Sequence, residues 1–236
     1  MVNTSGLKYF LKRNKFFLRL WFNFHNYVLG GNSIINRGYK NKIKTGSNVL
    51  IKKTKILILG NNNLIDIEDN SKLSNVYIHI NGSNHVLKIG KSVAYGKGML
   101  WFEDDNCKIS IGNGTTIEDA HIAVTDQNGG IYIGEDCMFS NKVDIRNGDS
   151  HSIIDLETRQ RINFARDIII SNHVWIGAYS QVLKGVKIGE NSIIGIRSVV
   201  TEDVLPNSIY AGVPAKLIKK NITWLRERLP KNNIKD

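Results

Sequence analysis

Aliphatic residues recur every six positions through part of this chain, a spacing that neither a helix nor a strand produces, because their side chains repeat at 3.6 and two residues. The chain must therefore turn a corner every six residues. A small or β-branched residue recurs four places after most of them. Three such units close one triangular coil of about eighteen residues in a parallel β-helix. The inward aliphatic column is Ile170, Ile176, Val182, Ile188, Ile194 and Val200, and the small column is Val174, Ser180, Val186, Ser192 and Ser198.

The repeat continues upstream with a step of twenty-two residues. The six-residue step persists inside each longer coil, and it predicts that Tyr95 and Trp101 point inward. Asparagine tolerates left-handed backbone angles and forms hydrogen-bonded ladders, so we expect four extra residues to widen one corner of each coil. The columns are Ile43, Ile65, Leu87, Ile109 and Ile131, then Thr45, Ile67, Ile89, Ile111 and Ile133, and the asparagines Asn62, Asn84, Asn106 and Asn128.

One domain accounts for the chain, because the repeat already occupies about residues 40 to 205 of 236. We expect a cap over 1–30, a β-helix over 31–218 with an insertion at 146–167, and a C-terminal segment over 219–236. Cys107 and Cys137 match no metal spacing. We therefore predict no metal and a reducing, cytoplasmic setting.

Both ends of the chain read as amphipathic helices. Residues 1–30 alternate apolar and basic side chains at near-helical spacing, and the charges interrupt every apolar run that could span a membrane. A cap over the open end of the β-helix is the preferred interpretation, and weak peripheral docking on the inner membrane is the alternative. Trp224 and Leu225 predict a short helix over Ile222–Leu229.

The net charge of +11 is spread along the chain and is not clustered with aromatics at one groove. A β-helix also offers no element suited to a nucleic-acid groove, so we do not expect nucleic acid as a partner. A polyanionic cofactor or an acidic polysaccharide accounts for the charge equally well.

The register is interrupted once, between Ile145 and Ile170, by a polar segment that contains His151. Its charges cannot enter the core, so the segment must protrude as a surface loop. Histidine is the side chain best suited to take a proton from a hydroxyl near neutral pH. His151 is therefore the general-base candidate.

Several segments around and after this loop together resemble the bacterial hexapeptide-repeat acyltransferases. Within that family the chain is most similar to O-acetyltransferases of capsular polysaccharide, including those that act on polysialic acid. The resemblance implies a left-handed β-helix, a homotrimer, acetyl-CoA as the donor and an active site between protomers. The segments are Asp149-Ser150-His151-Ser152-Ile153, Ile162-Asn163, Asp167-Ile168, Val174-Trp175-Ile176-Gly177, Leu183-Lys184-Gly185-Val186, Ser198-Val199-Val200-Thr201 and Ala211-Gly212-Val213-Pro214-Ala215-Lys216.

Carried onto this sequence, the resemblance makes His151 the catalytic base, and it places Trp175 beside the acetyl-CoA thioester. A backbone amide near Gly177 or Ala178 would stabilise the oxyanion, and small residues such as these and Gly195 would let the pantetheine arm lie against the wall. The candidate phosphate ligands are Lys184, Arg197 and Lys216. The candidate partners that orient His151 are Asp149, Asp144, Asp119 or a backbone carbonyl.

Three other classes fit the residues less well. A zinc-dependent carbonic anhydrase of β-helix fold needs a histidine pair and a distant third, which the sequence does not supply in that order. A serine acetyltransferase would carry a large acidic helical domain, and an ice-binding or scaffold β-helix would lack a protruding histidine loop. The acceptor stays open between capsule, O-antigen and a small nucleotide-sugar, the last acetylated on nitrogen or oxygen.

Overall fold

The computed structural model describes residues 30–230, which form a parallel β-helix. The helix predicted within residues 1–30 falls almost entirely outside this range. Three sheets run the length of the molecule, and we call them walls A, B and C in the order in which the chain visits them. No helix among residues 30–230 is long and apolar enough to cross a membrane.

Seven successive turns of the chain each contribute one strand to each wall, as the sequence pattern predicts, and the last turn has a single bridge at Val204 on wall B. Wall A contains β1 (Ser33–Asn36), β4 (Lys55–Leu59), β7 (Val76–Asn81), β10 (Gly98–Phe102), β13 (Ala120–Val124), β16 (Val143–Arg146), β19 (Gln181–Val182) and β22 (Val199–Val200). Wall B contains β2 (Lys42–Thr45), β5 (Leu64–Ile67), β8 (Val86–Ile89), β11 (Lys108–Ile111), β14 (Gly130–Ile133), β17 (Ile168–Ile170) and β20 (Lys187–Ile188). Wall C contains β3 (Leu50–Lys52), β6 (Lys72–Ser74), β9 (Ala94–Tyr95), β12 (Thr116–Ile117), β15 (Met138–Phe139), β18 (Trp175–Ile176), β21 (Ile193–Ile194), β23 (Ser208–Gly212) and β24 (Ala215–Lys220). All these pairings are parallel except the final hairpin of β23 and β24.

The inward columns stack directly on one another. Ile170 pairs with Ile188, eighteen residues later, and Ile65 pairs with Leu87, twenty-two residues later. The six aliphatic residues of the hexapeptide column are all at most 1% exposed. Both predicted periods are thus confirmed, and together they enclose one continuous core from the first coils to the last.

The extra residues of the longer coils lie at the corner between walls A and B. Asn62, Asn84, Asn106 and Asn128 hold the predicted left-handed conformation there, with φ between 57° and 66°. The side-chain ladder runs one residue later along the chain: Asn41 accepts the amide of Asn63, Asn63 accepts that of His85, and His85 accepts that of Cys107. Burial lowers the pKa of His85, consistent with a neutral imidazole that accepts a hydrogen bond through Nδ1.

Trp101 corrects one part of the sequence prediction. The step from wall C to wall A in this coil is five residues and not six, so Leu100 takes the inward position after Tyr95. Trp101 lies between the buried Leu100 and Phe102 and therefore projects outward, because neighbouring strand residues face opposite sides. The outer surface of wall A consequently carries an indole.

The helix predicted over Ile222–Leu229 does not form. Residues 221–230 contain no helix, and they lie against wall C. Trp224 is buried, its Nε1 donates to the His173 carbonyl oxygen at 2.8 Å, and its ring stacks on the His173 imidazole. Arg226 reaches Asp136 and the carbonyl of Cys137. These anchors fix an irregular segment where the spacing of apolar residues alone suggested a helix.

Ile188→Asp tests the inward register. Ile188 is 0% exposed and lies between Ile170 and Val204 on adjacent coils, so the substitution would bury an unpaired carboxylate. We expect it to cost several kcal/mol, a large part of the stability of a typical domain, and to abolish cooperative unfolding in urea. The control is Lys187→Asp, whose side chain faces solvent and should change the free energy of unfolding by about 1 kcal/mol or less. A folded, active Ile188→Asp protein would contradict the register.

Candidate functional site

The insertion leaves the β-helix at the corner between walls A and B and spans residues 147–167, between β16 and β17. Asn147 begins it as a buried residue whose side-chain amide exchanges two hydrogen bonds with the backbone of Thr125 in the coil below. The Arg166 amide donates to the Asn147 carbonyl at 2.9 Å and closes the base. Ile154 and Arg161 pair as an antiparallel bridge further out. The insertion is therefore a hydrogen-bonded hairpin, and its polar side chains lie outside the core as the sequence predicts.

Asn163 organises the segment that carries His151. It is 6% exposed, its Oδ1 accepts from the Ile153 amide at 2.7 Å, and its Nδ2 donates to the His151 carbonyl oxygen at 2.8 Å. The same Nδ2 donates to Asp149, which also accepts from the Lys184 ammonium. The hydrogen bonds from Lys184 and Asn163 hold the pKa of Asp149 below its ordinary value. Asn163 thus holds the main chain at His151 and Ile153, and Lys184 links Asp149 and the Asn163 carbonyl oxygen to the β-helix.

A second anchor joins the far arm of the hairpin to the wall. Arg161 donates two parallel hydrogen bonds of 2.9 Å to the carboxylate of Asp126, which also accepts from the Ala165 amide. Burial disfavours ionisation of Asp126, but the hydrogen bonds from Arg161 and Ala165 outweigh it, and the pKa of this carboxyl lies below its ordinary value. A bidentate arginine pair of this kind fixes orientation as well as distance.

The His151 side chain itself is exposed on this anchored loop. The three carboxylates that the sequence offered as its orienting partners are engaged elsewhere in the chain. Asp149 binds Lys184, Asp144 binds His121 and Arg146, and Asp119 binds Lys97 and Lys142.

Trp175 lies on β18 of wall C and faces outward, as predicted, with 37% of its surface exposed. Its ring centroid is 6.1 Å from that of Trp224, which the C-terminal segment places beside it. The chain passes from the insertion along wall B and around another corner before it reaches Trp175. His151 and Trp175 therefore occupy an edge and a wall on different sides of the triangle, and one chain does not bring them together.

The two candidate oxyanion donors differ in how their amides are used. The Gly177 amide donates to the Ile194 carbonyl at 2.8 Å and belongs to the ladder between coils. Among residues 30–230 the Ala178 amide has no acceptor, and it lies at the corner between walls C and A. A Cβ at Gly177 would come within 2.7 Å of the Ile196 amide nitrogen, and one at Gly195 within 2.8 Å of the Ala211 side chain. Both glycines thus permit close stacking of coils.

The predicted phosphate ligands are not gathered at one place. Lys184 lies at the foot of the insertion and contacts Asp149 and the Asn163 carbonyl. Arg197 is exposed at the corner between walls C and A, with its guanidinium 5.5 Å from the Tyr179 ring centroid. Lys216 is exposed on β24 and is 3.3 Å from Glu202. Arg197 and Lys216 thus lie toward the C-terminal end.

The sequence did not reveal the roles of Asn163 and Asp126. Asn163 sits beside the exposed Ile162 in a polar stretch, and only its burial marks it as the centre of the loop. Asp126 is thirty-five residues from Arg161 along the chain, and the register of the coils brings them together.

Comparisons with known proteins find similar chains over most of the length of this one. A family described as "Bacterial transferase hexapeptide (six repeats)" matches residues 167–202. A polysialic acid O-acetyltransferase of Neisseria meningitidis is 36% identical over 200 residues, which cover 84% of this chain and 92% of that protein. The crystal structure of the polysialic-acid-specific acetyltransferase NeuO aligns over 85% of this chain and 92% of that one, at 36% identity and a TM-score of 0.78. The crystal structure of the polysialic acid O-acetyltransferase OatWY covers 85% and 93%, at 35% identity and a TM-score of 0.80.

Asn163→Ala tests the anchoring of the insertion. The substitution removes the hydrogen bonds to Ile153, Asp149 and the His151 carbonyl together, and we expect trypsin to cut after Arg159 at least about tenfold faster. The melting temperature should change little, because the loop lies outside the core. The control is Gln160→Ala at the exposed hairpin tip. Equal cleavage rates for Asn163→Ala and the wild-type protein would show that Asn163 does not hold the loop.

Proposed function

Because the chain belongs to the bacterial hexapeptide-repeat acyltransferases, at 36% identity over nearly the whole length of a polysialic acid O-acetyltransferase, we propose that it transfers an acetyl group from acetyl-CoA to a sugar hydroxyl of an acidic surface polysaccharide. The observation that carries this proposal is the exposed His151 side chain on a loop whose main chain Asn163 holds at His151 and Ile153. A positioned imidazole open to solvent can meet a large, hydroxyl-bearing acceptor.

The proposed reaction is a direct transfer. His151 takes the proton of the sugar hydroxyl while the hydroxyl oxygen attacks the thioester carbonyl carbon. The carbon–sulfur bond then breaks, the acetyl group stays on the sugar oxygen, and the thiolate of coenzyme A takes the proton back from His151. The Ala178 amide is our choice for the oxyanion donor, since the Gly177 amide is already bonded.

The donor fits along wall C and its edge with wall A. Trp175 offers a flat apolar face to the thioester, and Gly177 and Gly195 leave room for the pantetheine arm. Arg197 and Lys216 would meet the phosphates at the C-terminal end. Lys184 would hold the His151 loop in place and would not bind phosphate, because its ammonium already donates to Asp149 and to the Asn163 carbonyl oxygen.

This arrangement needs a second protomer. His151 lies at the edge between walls A and B, whereas Trp175, Ala178 and Arg197 lie on wall C or at its edge with wall A. Wall A separates these two edges by the six mostly extended residues from Ala178 to Lys184, a width of roughly 20 Å. We therefore propose a homotrimer in which the His151 loop of one protomer faces the Trp175 wall of its neighbour.

His151→Ala should lower the rate of acetyl transfer at least roughly a hundredfold, the low end of what a positioned general base contributes. The melting temperature should be unchanged, because the side chain is exposed. Gln160→Ala, on the same loop, is the control and should keep full activity. Near-normal transfer by His151→Ala would remove this mechanism.

Mixing two inactive proteins tests the shared site. His151→Ala and Trp175→Ala chains, unfolded and refolded together in equal amounts, would give about a quarter of interfaces with both side chains intact by random assembly. We expect activity well above that of either parent. Activity no better than the parents, with mixed trimers confirmed by native mass spectrometry, would place both residues on one chain.

A further inference from the structure

The outward face of wall A carries a cleft directly beside the His151 loop, distinct from the groups assigned to the donor. It has a volume of ≈ 250 Å³, and Gly148 and Ser150 of the insertion form one side of it. The strands β10, β13 and β16 supply the floor and the other sides. Any group held here lies within a few residues of the proposed base.

Trp101 presents one open ring face to this cleft. The row of outward residues across successive strands of wall A is His79, Trp101, Ala123 and Arg146. His79 stacks on one face of the indole, with ring centroids 3.9 Å apart and planes 8° from parallel. Burial lowers the pKa of His79, consistent with a neutral imidazole in the stack. Ala123 is too small to cover the opposite face.

There is space above that open face, because only the Ala123 side chain lies between Trp101 and Arg146 in the row. Trp101 and Arg146 are two strands apart on the wall, hence about 9.6 Å at the backbone. The Arg146 guanidinium is held by Asp144 and His121, and it forms one side of this space. The small Ala123 between them thus opens a slot for a planar or pyranose ring.

Two polar side-chain atoms lie buried in the wall of this cleft, without a partner among the described residues. They are Nε2 of His121 and Oγ1 of Thr125, a residue only 8% exposed, and both residues line the cleft. His121 Nδ1 lies 3.2 Å from the Arg146 guanidinium and 3.3 Å from the Asp144 carboxylate, so these two neighbours hold the imidazole in place. Buried polar groups are nearly always hydrogen-bonded, so two unpartnered ones in one cleft point to a ligand rich in hydroxyl and carboxylate groups.

The charges around the cleft are mixed. Arg146 is bound by Asp144 through Nε, Glu103 lines the opposite side, and Lys97 and Lys142 pair with Asp119 in the adjoining cleft of ≈ 440 Å³. An aromatic face with donors, acceptors and one arginine suits a sugar ring that bears a carboxylate better than a bare anion or an apolar chain.

From these observations we infer that the cleft between Trp101 and Arg146 is the acceptor subsite, where one acidic sugar ring stacks on Trp101 and binds Arg146, beside the walls formed by His121 and Thr125. This inference rests on the proposed function and deepens it. It places the acceptor on the same chain as the catalytic His151, while acetyl-CoA is bound by the neighbouring protomer.

The test measures binding without turnover, in the His151→Ala background. An oligomer of sialic acid is titrated by calorimetry, with a neutral maltooligosaccharide as the comparison probe. We expect Trp101→Ala and Arg146→Gln each to raise the Kd for the sialic acid oligomer roughly tenfold or more, with little binding of the neutral probe. Tyr132→Ala removes an outward aromatic of wall B and should leave this Kd unchanged.

Companion measurements on proteins with His151 intact separate the alternatives. Slow hydrolysis of acetyl-CoA and its KM should stay within about twofold of wild type in Trp101→Ala, and the mass in solution should not change. An unchanged Kd, absence of oligomer binding by the parent, a KM for acetyl-CoA that rises in parallel, or a fall in mass would each overturn the subsite. Failure of the wild-type protein to acetylate any glycan would instead refute the proposed function.

Discussion

The stacking of each coil on the one before is the constraint on which the rest of this molecule depends. Backbone amides of one coil donate to carbonyls of the next, and an aliphatic side chain repeats below each inward position. Because all three walls are fixed in this way, the outward residues also form straight rows. A row can then place chemically different side chains at intervals of about 4.8 Å, as wall A does from His79 to Arg146.

The insertion takes its position from the same ladder. Asn147 and Asp126 lie at the ends of neighbouring coils. Asn147 anchors the start of the hairpin to Thr125, and Asp126 binds Arg161 in the far arm. A flexible loop would pay conformational entropy each time it presented His151 to a substrate. Here Asn163, itself buried, holds the main chain of that segment in the free protein. The hydrogen-bonded coils thus also fix the position of the insertion that leaves them.

Much of the fold could be predicted from the sequence because the period of the side chains reports the period of the backbone. The inward columns, the asparagine corners and the outward Trp175 follow from spacing alone. The inward direction predicted for Trp101 was wrong, because the step from wall C to wall A in that coil is one residue shorter than the repeat and reverses the face of each following residue. The helix predicted around Trp224 was wrong, because hydrogen bonds and packing against wall C outweigh the helical spacing of its apolar residues. The bond between Asn163 and His151, and the cleft beside it, depend on contacts between residues distant in sequence, which no local pattern records.

We propose that two chains complete each site, because the β-helix holds His151 and Trp175 on different sides of one chain. A crystal structure of the assembled protein with coenzyme A bound measures this directly. We expect the thiol sulfur to lie about 4 Å or less from the His151 imidazole of one protomer and beside Trp175 of its neighbour. A thiol flanked by His151 and Trp175 of the same chain would show instead that one chain forms the whole site.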